Sequence, residues 1–74
     1  MTNNEVLKKL RIALDLKESD MFLIFELGGI EINKSLLSGL FRKEGHKNYK
    51  ECNDEHLEAF LNGYITYKRG EKED

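Results

Sequence analysis

An all-α domain of four short helices is the fold class this sequence predicts, on three observations. It has no proline, its apolar residues recur at three- and four-residue spacing, and glycine or asparagine punctuates each apolar run. Seventy-four residues suffice for one small unit: a compact helical domain with short loops over 1–70 and a charged tail over 71–74.

Taken in order, Thr2-Asn3-Asn4-Glu5 reads as a capping box, a hydroxyl followed three residues later by a carboxylate. It opens a first helix over residues 3–16, with Val6, Leu7, Leu10, Ala13 and Leu14 on one face. A second helix starts near Glu18-Ser19-Asp20, whose acidic groups suit the positive end of a helix dipole, and stops at a left-handed cap at Gly28-Gly29. Six of its seven positions from Met21 to Leu27 are apolar, so it has almost no polar face. Such a helix is either central or shows one side to another molecule.

Ile30-Glu31-Ile32 reads as an extended connector that tucks two isoleucines under the bundle. Asn33 caps a third helix over 34–44, with Leu36, Leu37, Leu40 and Phe41 inward and Gly45 at its end. After a polar loop from His46 to Cys52, Asn53 caps the fourth helix. There Leu57, Phe60, Leu61, Tyr64 and Ile65 make the clearest amphipathic pattern in the chain, and Gly70 closes it. Gly39 and Gly63 fall inside helices at about 1 kcal/mol each relative to Ala, which suits either tolerated surface positions or close approach of another backbone.

The strings V-L-x-x-L-R-x-A-L-x-L at Val6–Leu16 and D-M-x-x-I-F-x-L-G-G at Asp20–Gly29 resemble the YehS-like domain, a bacterial family of unknown function. A looser apolar repeat over Ile32–Arg42, F-L-x-G at Phe60–Gly63 and K-R-G at Lys68–Gly70 extend the likeness to about residues 1–70. The resemblance implies a helical, cytoplasmic bacterial protein with no established activity and no catalytic motif to carry over. It also implies two copies of the domain per chain, where this chain has one. That departure leads to the expectation that two chains pair and cover the apolar surplus of the second helix.

Composition narrows the chemistry. Net charge is −2, so there is no global attraction to nucleic acid or anionic membrane, and a single cysteine cannot form an internal disulfide. No secretory signal or membrane-length apolar run is present, which makes the cytoplasm the expected location and a membrane an unexpected partner. His46, Cys52 and His56 offer three soft ligands where zinc takes four, so no metal is expected without Asp54 or a second chain. Cys52 has only His56 as a local base, Ser19, Ser35 and Ser38 read as cap or surface residues, and the carboxylates follow solvent faces. Gly28-Gly29 lacks the strand and the lysine of a phosphate loop. Neither enzyme activity nor a cofactor is expected.

Two binding readings remain. Charge is lopsided: five acids stand against Lys17 over residues 15–31, whereas residues 42–50 and 67–69 are basic. Arg42, Lys43, Lys47, Tyr49, Lys50, Tyr67, Lys68 and Arg69 combine cations with aromatics, as single-strand nucleic-acid binding requires, although cations also favour helix C-termini. The leading expectation is a protein-interaction or assembly module, a homodimer or the partner of another cytoplasmic protein. Its expected interface is Met21, Phe22, Phe25 and Tyr64.

Overall fold

The computed structural model describes residues 1–70, and the tail expected over 71–74 lies outside them. Four helices follow one another: α1 (Asn3–Ala13), α2 (Glu18–Leu27), α3 (Lys34–Leu40) and α4 (Asp54–Arg69), with no strand among the described residues. The capping box of α1 forms in both directions. The Glu5 amide donates to Thr2 Oγ1 at 3.2 Å, and the Thr2 amide donates to Glu5 Oε1 at 2.9 Å. Asn33 and Asn53 cap α3 and α4 through their side chains at 2.7 Å each.

α1 is shorter than the expected 3–16. Asp15 turns into the left-handed region at φ 54°, and the Leu16 and Asp15 amides bond back to the Arg11 and Ile12 carbonyls. This closes the helix in a Schellman motif with an aspartate where glycine is usual. The same pair of bonds ends α2, from Ile30 to Phe25 and from Gly29 to Glu26, with Gly29 at φ 97°. That glycine was legible as a cap, whereas the aspartate was not.

α3 ends at Leu40 rather than at 44 because its last carbonyls are taken by other parts of the chain. The Lys50 amide donates to Gly39 O at 2.9 Å, and Asn4 Nδ2 donates to Leu40 O at 3.0 Å. Those oxygens would otherwise have received the amides of the next helical turn.

α2 and α4 lie antiparallel and make the main seam. A Cβ added at Gly63 would overlap the Ile24 carbonyl oxygen and stand 2.9 Å from the Gly28 amide; one added at Gly28 would overlap the Ala59 carbonyl. Gly63 is thus a close-approach glycine within this chain. Gly39 is one as well, since its Cβ would sit 2.7 Å from the Asn48 carbonyl oxygen. Around the seam the buried core comprises Leu7, Met21, Ile24, Phe25, Ile32, Leu37, Leu40, Cys52, Ala59 and Phe60. Of the two connector isoleucines, Ile32 is buried and Ile30 packs against the core from its edge.

Candidate interaction surfaces

Asn4, read from sequence only as part of a capping box, is the one buried polar residue in the described core. Its Nδ2 donates to Leu40 O at 3.0 Å and Lys50 O at 2.9 Å, while its Oδ1 accepts from Tyr49 Oη at 3.0 Å and from the Cys52 amide at 2.8 Å. Two donor hydrogens and two lone pairs are all an amide has, so its hydrogen-bonding capacity is spent. The long 41–53 connection is thereby pinned to α1. Arg11 adds a second tie, with its guanidinium 4.9 Å from the centre of the Phe41 ring.

The pin decides the fate of the expected basic surface. Tyr49 faces inward onto Asn4 and is half-buried, and its phenol is pushed above its ordinary value, first by burial and then by Glu44. Tyr49 and Lys50 stand at the N-terminal end of α4, next to Cys52 and the Asn53 cap. Tyr67, Lys68 and Arg69 stand at the other end of a 16-residue helix. That distance is about 20 Å at 1.5 Å per residue. Tyr67 also donates to Asp20 Oδ1 at 3.2 Å, at the acidic start of α2. Arg42, Lys43 and Lys47 are exposed. Arg42 and Lys43 edge a cleft of about 200 Å³, whose lining includes Thr2, Glu5 and Lys8. The eight residues do not converge, and the tyrosines at both ends are hydrogen-bonded inside the fold.

The expected interface also needs correction. Met21 and Phe25 are 0% exposed and belong to the core of a single chain. α2 is apolar over most of its surface because α4 and the rest of the core bury Met21, Ile24 and Phe25, while Leu23 stays 39% exposed. Phe22 and Tyr64 are half-buried and packed against that core. Tyr64 belongs to a ring ladder that runs from α2 along α4: Phe25 to Phe60 at 5.6 Å, Phe60 to Tyr64 at 6.3 Å and Tyr64 to Tyr67 at 5.8 Å.

What sequence reasoning missed is the outer face of α4. Leu61 is 44% and Ile65 53% exposed. Each lies two residues from Gly63, which is about 200° around the helix, so both point away from the α2 seam. With half-buried Leu57 they continue an apolar strip at four-residue spacing beyond what the bundle covers. The signal was present, since the apolar stripe from Leu57 to Ile65 is wider than one neighbouring helix can cover.

Cys52 is buried beneath the pin. Burial, then the Asp54 carboxylate, push its thiol up to about 11, so it is protonated at neutral pH. Its Sγ donates to the Asn53 carbonyl at 3.8 Å. His46 Nδ1 accepts from the Asn48 amide at 2.9 Å within the loop. His56 is half-buried, and its Nδ1 is shielded without a hydrogen-bond partner among the described residues. The described residues contain no group of three or more potential metal ligands, and no helix among them is long and apolar enough to cross a membrane.

Comparison with known proteins places this architecture. The chain is similar to the Uncharacterized protein YehS of Escherichia coli (strain K12), at 40% identity over 72 residues. That match takes in 97% of this chain and 46% of YehS, so the chain spans about half the length of the curated relative it matches. No solved structure matches. The family model described as "Protein of unknown function (DUF1456)" matches residues 3–70, from the first residue of α1 to the cap of α4. The chain therefore belongs to this DUF1456 family of proteins of unknown function.

Proposed function

We propose that this domain is a non-enzymatic interaction module of the bacterial cytoplasm that pairs with a second copy of itself. The observation that carries the reading is the outer face of α4, where Leu61 and Ile65 are about half exposed on a helix whose opposite side is sealed against α2. Covering exposed apolar area favours association, and an exposed apolar strip on a small domain is a favoured docking place.

Light scattering over a concentration series tests the reading. The expected result is a mass that rises from one chain towards two, and a Leu61→Glu, Ile65→Glu double variant that stays monomeric with unchanged helix content. A wild-type chain that is monomeric throughout the series overturns it. Phe25→Glu, by contrast, is expected to unfold the chain, because that ring has no route to solvent.

A further inference from the structure

We infer that the two copies meet through α4 in an antiparallel, two-fold arrangement centred on residue 63, an inference that rests on the self-pairing proposed above. The warrant is the order of side chains along the exposed strip. Glu58 precedes the apolar pair Leu61 and Ile65, and Lys68 follows it. All four lie within about 40° of the direction opposite the α2 seam, at 100° per residue. Glu58 and Lys68 are exposed, and neither has an ion-pair partner among the described residues.

Reversing the helix about residue 63 brings position 58 level with 68 of the other copy, and 61 level with 65. Each Glu58 then stands across the seam from a lysine, and each Leu61 from an isoleucine. A two-fold interface must match itself in this way, with residue i meeting j and j meeting i. A parallel pair would set Glu58 against Glu58 and Lys68 against Lys68, which repel. The helix dipoles also favour the antiparallel order. Gly63 does not enter the contact, because it is already committed to α2 on the other side. One helix pair with a short apolar centre falls at the small end of specific interfaces, so the dimer is expected to be weak and to loosen as salt rises.

Thiol cross-linking reads the register directly. The native Cys52 is buried with a protonated thiol, so the natural chain supplies a silent background. Glu58→Cys and Lys68→Cys proteins are treated with a short bis-maleimide, separately and mixed. The expected result is a covalent dimer several-fold more abundant in the mixture than in either protein alone. In a second arm, Glu58→Lys raises the dimer dissociation constant about tenfold and addition of Lys68→Glu restores it, as charge pairs at an interface rim allow. Strong cross-linking of each protein with itself, or a dimer by light scattering with no cross-link in the mixture, overturns the antiparallel register while self-pairing stands. A monomer by light scattering removes the self-pairing and this inference together.

Discussion

The α2–α4 seam and the 41–53 connection are held by opposite means. At the seam two backbones touch through Gly28 and Gly63, with an aromatic ladder beside them and little polar chemistry. The connection has few apolar residues to bury and is fixed by one amide, Asn4, which satisfies two carbonyls, one backbone N–H and a phenol. Seam packing is a matter of shape and fails when anything is added. The pin is a matter of valence and fails when anything is removed. A domain with too small a core to hold a long loop by burial alone uses a saturated hydrogen-bond centre for it.

The largest expected effect is at the seam. Gly63→Ala improves helix propensity by about 1 kcal/mol, but its methyl group overlaps the Ile24 carbonyl oxygen. Steric displacement of packed backbone outweighs the propensity gain, and we expect a net loss of about 3 kcal/mol in urea unfolding. A variant as stable as the natural chain would show that the two helices are not in backbone contact.

Asn4→Ala comes next, at about 2 kcal/mol, since it orphans the Cys52 amide and two carbonyls at the cost of unmade hydrogen bonds. The comparison is sharpened by where the loss appears. Hydrogen exchange is expected to accelerate over residues 41–53 and to stay slow in α2 and α4. Uniform acceleration would mean that pin and seam unfold as one unit.

A smaller effect comes from pH. The folded Cys52 thiol, at about 11, keeps its proton through a range where the unfolded thiol, near 9.0, has lost it. The unfolded state then binds fewer protons, so stability is constant below about pH 9 and falls as pH rises from there towards 11. Tyr49, raised above 10.0, adds to the fall in the same sense. Cys52→Ala should make the alkaline decline shallower, measured as the urea midpoint against pH. An unchanged slope would remove the thiol from the account.

Of the candidate surface, sequence reasoning had the α4 stripe but placed the contact on Met21, Phe22 and Phe25 of α2 and on Tyr64 of α4. A run such as Met21–Leu27 is apolar on all sides whether it is central or half exposed, and periodicity cannot separate the two. Only the position of Gly63 against Ile24 shows which side of α4 is sealed, and therefore that Leu61 and Ile65 are left outside. Nor does composition report how far apart the basic residues stand, since it says nothing about the length of helix between 50 and 67.

By itself the sequence determined the number of helices, their starts at Thr2, Asn33 and Asn53, the stop at Gly28-Gly29, and a core drawn from the apolar stripes. These depend on local chemistry: caps within three residues and spacing within two turns. Tertiary structure alone decided where α3 ends, that Asn4 is a core residue, and which apolar side chains remain exposed. The first two depend on Asn4, whose partners Leu40 and Cys52 are 36 and 48 residues away, and no local propensity encodes such a meeting.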